Sequence, residues 1–137
     1  ELLGFMAGLE PDGGYLQVTG EVGKPGTYER VAPSPASVGA AVAKALDAVK
    51  PTFPMRVADV PLCLLPEHEA HVSRWRDTPE LGARAIVLPF SEWLSTFSAG
   101  KTRDYGARCE GCDARSRCDG LSHEALVRFG DHELRPR

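Results

Sequence analysis

Four cysteines are the residues of this 137-residue chain whose type and spacing can do chemistry. Cys109, Cys112 and Cys118 follow the pattern C-x2-C-x5-C, and Cys63 stands apart in Val60-Pro-Leu-Cys63-Leu-Leu-Pro66. Four thiolates are the number that closes a tetrahedral sulfur site around zinc or holds an iron–sulfur cluster. Two residues between Cys109 and Cys112 let the chain turn back on one centre, and Gly111 eases that turn. Zinc sites usually show two close pairs, or a cysteine pair with a histidine pair. This chain has one close pair, a third cysteine six positions on, and a fourth far upstream. A cluster tolerates such uneven spacing because its ligands bind different corners of a larger object. The spacing leans towards a cluster. It leaves open a zinc site of four cysteines, or of three cysteines with His123 or His132. Two disulfides are the weaker reading, because the chain is neither very small nor cysteine-dense and shows no export signal.

Other residues admit a reading as chemistry and one as scaffold. Arg108, Arg115, Arg117 and local backbone N–H groups can offset thiolate charge and hydrogen-bond to sulfur. The same arginines read equally well as a solvated loop. His68 and His71, with Glu67 and Glu69, read as a solvated helix face, since no companion metal motif exists. Ser34, Ser37 and Ser91 have no nucleophile-elbow context and read as caps or surface hydroxyls. Gly20-x-x-Gly23-x-x-Gly26 lacks the spacing of a dinucleotide fingerprint and reads as turns. Asp104 and Tyr105 can flank a centre formed by the cysteines, with packing the simpler role for Tyr105.

The elements that must position the cysteines follow an α/β order of strand, helix, strand, helix, strand. Tyr15 to Gly20 predicts a strand with Leu16 and Val18 on one face. Pro35 to Val49 predicts a helix, capped by Ser34 and stopped by Lys50-Pro51. Its apolar face is Val38, Ala41, Val42, Ala45, Leu46 and Val49. Met55 to Leu64 predicts a strand that breaks at Pro61. Pro66 to Trp75 predicts a short helix, Ala83 to Leu88 a strand, and Ser91 to Phe97 a helical turn. Leu121 to Gly130 predicts a closing helix with Ser122 as N-cap, a Leu121–Leu126 staple and Gly130 as stop. Between residue 99 and Leu121 large apolar residues are few. Such a segment needs a bound ion or cluster to order it.

Bulk properties exclude several classes. The apolar fraction is 42% and the charged fraction 26%, ordinary for a globular domain. A net charge of -3 gives no basic field for nucleic acid or acidic lipid, so nucleic-acid binding is not expected. No apolar stretch approaches a membrane span, and the N-terminus has no secretory pattern. The opening Glu1-Leu-Leu-Gly-Phe-Met6 reads as a cut through a longer polypeptide. A metal on free thiols implies a reducing compartment, the cytoplasm.

Cys109-x2-Cys112-x5-Cys118-x-Gly120, then a helix, Phe129-Gly130 and Glu133-Leu-Arg-Pro136, resembles the C-terminal auxiliary-cluster (SPASM/twitch-like) region of radical SAM enzymes. The upstream Val60-Pro-Leu-Cys63-Leu-Leu-Pro66 belongs to the same resemblance. It implies that residues 1–98 are the last strand–helix units of a partial (β/α)6 barrel. Residues 99–137 would then be a small Cys-rich extension holding an auxiliary [4Fe–4S] cluster on Cys63, Cys109, Cys112 and Cys118. The C-x3-C-x2-C motif of the SAM-binding cluster is absent here, so this segment alone is not expected to cleave S-adenosyl-L-methionine. The implied partners are a SAM-binding half, upstream or in another chain, and a peptide or small-molecule substrate. Two alternatives remain at this point: a non-catalytic zinc module binding a protein or RNA, and a small electron carrier.

Overall fold

The computed structural model describes Gly4, Phe5, Gly8 and residues 12–18, 32–74 and 103–137. The expected strand at 83–88, the helical turn at 91–97 and the glycines 20, 23 and 26 lie outside the described residues. Within them, helices mix with short strands in an α/β arrangement. The described strands form two two-stranded sheets, and no barrel is seen among them. No helix among the described residues is long and apolar enough to cross a membrane.

Strand β1 (Gly14–Gln17) and strand β2 (Met55–Ala58) pair in parallel, with Leu16 opposite Val57. Parallel neighbours need a crossover, and helix α1 (Pro35–Val49) lies within it. Ser34 caps α1 by accepting the Ser37 N–H at 3.3 Å, and Lys50 ends it in a left-handed conformation. Val42 and Leu46 of α1 join Phe53, Met55, Val57, Val60 and Leu65 in the larger core, with Leu16 and Val18 packed against it. The expected helix face needs one correction. Ala41 is exposed, and the buried small residue is Gly39.

Two more expectations are corrected beyond β2. The strand does not run to Leu64. It ends at Ala58, where Asp59 takes the left-handed φ of 69° and turns the chain. Residues Leu62–Leu64 then form a 3-10 turn after Pro61. The helix expected from Pro66 to Trp75 is a 3-10 helix, Pro66–His71, kinked at His68. Val72 beyond it is extended and bridges to Val57 in parallel, with the Ser73 N–H donating to the Val57 carbonyl at 2.9 Å. His68 and His71 are half-buried, not a solvated face. His71 Nδ1 donates to the Met55 carbonyl at 3.0 Å, and His68 Nε2 lies 3.2 Å from Asp47.

The C-terminal part is a second, smaller assembly. Strand β3 (Arg103–Asp104) pairs antiparallel with strand β4 (Leu121–Ser122), which leads into helix α2 (His123–Phe129). Ser122 caps α2 from the Ala125 N–H at 3.2 Å, and Gly130 ends it at a φ of 66°. Leu121, Ala125 and Leu134 form a small core, against which Leu126 and Phe129 pack. Leu64 packs against both cores and so links them. Polar ties cross the same junction. Glu133 accepts the Ala36 N–H at the start of α1 at 3.0 Å, Arg103 pairs with Asp59, and Arg137 pairs with Glu69.

Candidate metal centre

Cys63 sits in the turn that follows β2. The Leu64 N–H bonds the Pro61 carbonyl at 3.0 Å, and the Leu65 N–H bonds the Leu62 carbonyl at 3.1 Å. Leu62 and Leu65 on either side are buried. These anchors fix the turn, which exposes the thiol only in part. The other three cysteines ride on the loop that β3 and β4 close at its base.

Cys109 ends a 3-10 turn, Ala107–Cys109, and begins a second turn. Glu110 has φ -65° and ψ 127°, and Gly111 has φ 75°. The Cys112 N–H closes onto the Cys109 carbonyl at 3.3 Å. These are the angles of a type II β-turn, whose third position demands a positive φ. Gly111 therefore supplies the reversal that aims both sulfurs to one side. A further 3-10 turn, Arg115–Arg117, delivers Cys118. Gly120, at φ 73°, then folds back so that its N–H reaches the Cys118 sulfur at 3.4 Å.

All four cysteines line one recess, together with Pro61, Leu62, Tyr105, Ala114 and Leu134. None is in a disulfide. Tyr105 closes part of the rim, its hydroxyl donating to the Cys118 carbonyl at 2.7 Å. Cys63 and Cys109 also pack against the small C-terminal core. The site is thus seated on apolar support and faces outward from it.

The electrostatics have two opposing parts. Burial pushes the Cys63 thiol up. The Arg135 backbone N–H lowers it, and the charges of Cys118, Cys109 and Cys112 raise it again. Cys109 is likewise raised, first by burial, with the Gly106 N–H opposing and Cys118, Cys112 and Asp131 adding to the rise. The Gly120 N–H reaches the Cys118 sulfur. Donors of this kind stabilise negative sulfur and tune a bound centre.

Arg115 lines the same recess and stacks over the Tyr105 ring at 4.8 Å, while Arg117 lies 3.7 Å from Glu69. His123 and His132 do not line the recess, and His123 Nδ1 is 2.6 Å from Asp104.

Among the described residues, no three His, Cys, Asp or Glu side chains gather closely enough to hold a single metal ion. Four thiols line one recess, and sulfurs that bind separate irons of a cluster need not meet at one point. The sequence pattern singles out the four cysteines and gives no signal for Gly39, Gly106 or Asp131. Among these, the glycines were visible only as letters whose neighbours in space were unknown.

No family model, curated protein or solved structure matches this chain.

Proposed function

We propose that this chain is the auxiliary [4Fe–4S] cluster-binding part of a radical SAM enzyme, with Cys63, Cys109, Cys112 and Cys118 as the ligands. The observation that carries the reading is the gathering of these four cysteines around one recess, although Cys63 is 46 positions before the next of them. The sequence resemblance supplies the enzyme class. The parallel β1–α1–β2 unit is compatible with the end of a partial (β/α)6 barrel over residues 1–98, followed by the extension over residues 99–137. A SAM-binding half, in the same polypeptide or another chain, is the expected partner, and the cytoplasm the expected compartment. The substrate class is a peptide or small molecule.

When bound, the cluster would accept and return single electrons near the substrate radical. This chain's residues do the rest. The turn at Leu62–Leu64 and the Cys109–Cys112 turn hold sulfurs in place before anything binds. Apolar walls from Leu62 and Leu134 limit water at the sulfurs. An all-cysteine set leaves no iron open, which favours electron relay or structure over substrate coordination.

The test is iron, acid-labile sulfide and zinc per chain, on the full-length protein purified and reconstituted without oxygen. The reading expects about four irons and four sulfides at this site. Zinc at about one per chain without sulfide would overturn it in favour of a zinc module with a protein or RNA partner.

A further inference from the structure

We propose that Asp131 is a positioning residue for the Cys109 sulfur and that its carboxylate biases the bound centre towards the oxidised state. This role rests on the cluster reading above. Asp131 follows Gly130, which ends α2 at a φ of 66°. It is held from behind, because the Leu134 N–H donates to its backbone carbonyl at 3.0 Å and Leu134 is only 2% exposed. From this anchor the carboxylate oxygen Oδ2 accepts the Arg108 N–H at 2.8 Å.

The same side chain fills the space beside Gly106. A Cβ on Gly106 would collide with the Asp131 Cβ and Oδ2. Gly106 in turn anchors the cysteine turn, its carbonyl accepting the Cys109 N–H at 2.9 Å. Asp131 therefore grips the residue before Cys109, 23 positions away in sequence, and packs against the residue whose carbonyl anchors the Cys109 turn.

The charge has a consequence separate from the grip. The Asp131 carboxylate is held against the backbone N–H of Arg108, the residue adjoining Cys109. Reduction adds one electron to the centre that Cys109 holds. A fixed carboxylate nearby raises the energy of the reduced form more than that of the oxidised form. Asp131 is partly exposed, so added salt screens the effect.

Two substitutions separate grip from charge in the full-length, cluster-loaded protein. Asp131→Asn keeps an oxygen for the Arg108 N–H and removes the charge. Iron content should be unchanged and the midpoint potential should move to a more positive value, with a smaller shift at high salt. Asp131→Ala removes the grip, and an iron chelator should strip the centre several-fold faster than in the parent. An unchanged potential in Asp131→Asn at low salt, or an unchanged stripping rate in Asp131→Ala, overturns the proposal. If the alanine variant does not fold, the potential of Asp131→Asn still decides. Zinc without sulfide in the parent protein would instead sink the cluster reading, and with it the claim about potential. The stripping rate, run on zinc, would still decide the grip.

Discussion

Gly39 in the middle of α1 lies against Leu64, the residue after Cys63. A Cβ at Gly39 would stand 2.8 Å from the Leu64 carbonyl oxygen and 2.9 Å from the Leu64 Cβ. Contacts this short do not occur in real side chains, and one of the two atoms is backbone. The absence of a side chain at Gly39 thus sets how closely α1 approaches the turn that carries Cys63.

Gly39→Ala should therefore destabilise, against the usual preference for alanine in a helix. Alanine gains about 1 kcal/mol of helix propensity over glycine. Forcing a methyl into a packed contact costs about 1–3 kcal/mol. The expected net loss is about 1 kcal/mol, read as a lower denaturation midpoint. Gly39→Val should lose more, and its metal content should fall because the Cys63 turn must move. A stabilised Gly39→Ala protein would mean that the helix and the turn are not held at this distance.

Cys63→Ala and Cys112→Ala should labilise the same centre. Cys63 comes from the turn after β2, far from the other three in sequence, yet it shares their recess and packs with Cys109 against the small C-terminal core. Removing either sulfur leaves one corner of the centre without a protein ligand. Metal content after purification should fall in both, and the remaining metal should be lost to chelator at similar rates. Full retention in Cys63→Ala would remove that residue from the ligand set while leaving the C-terminal three.

Helices α1 and α2 were legible because local chemistry fixed them. Ser34, Pro35 and the apolar period set α1, and Ser122 with Gly130 set α2. The Cys109–Cys112 turn was foreshadowed by Gly111. The end of β2 was not legible, because Asp59 is a non-glycine residue at positive φ and nothing in its neighbours announces that. His68 and His71 were misread for a related reason. Their burial depends on Asp47 and on the Met55 carbonyl, which approach only after α1 and β2 pack. The long-range ties follow the same rule: Glu133 reaches Ala36 across 97 positions, and no local pattern encodes such a partner.

Gly111 and Gly120 should respond differently to the same substitution, although both have positive φ. At Gly111 an added Cβ meets nothing within 4 Å. Only the backbone conformation resists, at about 1–2 kcal/mol for an ordinary residue and less for asparagine. At Gly120 an added Cβ would collide with the Asp104 carbonyl oxygen, in the β3–β4 pair. Its N–H also serves the Cys118 sulfur. Gly111→Asn should keep most of the metal content, and Gly120→Asn should lose it. Equal content in the two variants would argue that backbone angle alone governs the loop.

His123 and Asp104 give the junction of β3 and α2 a pH dependence whose sign can be worked out. The hydrogen bond that His123 donates to the Asp104 carboxylate raises His123 above its ordinary value of 6.5, with the charges of Asp104 and Glu124 adding to the rise. A raised folded value means that the protonated form is the one the fold favours. The contribution is fully present below the unfolded value and is lost as pH rises through the folded one. It is small, because His123 is at the surface and water screens the pair. It acts locally, by tying β3 to the first residue of α2. Following the His123 ring by NMR against pH should give a midpoint above 6.5 in the parent. Asp104→Asn should lower that midpoint, leaving only the weaker pull of Glu124. A midpoint unmoved by Asp104→Asn would show that the two side chains do not meet in solution, and the tie between β3 and α2 would then rest on the β3–β4 hydrogen bonds alone.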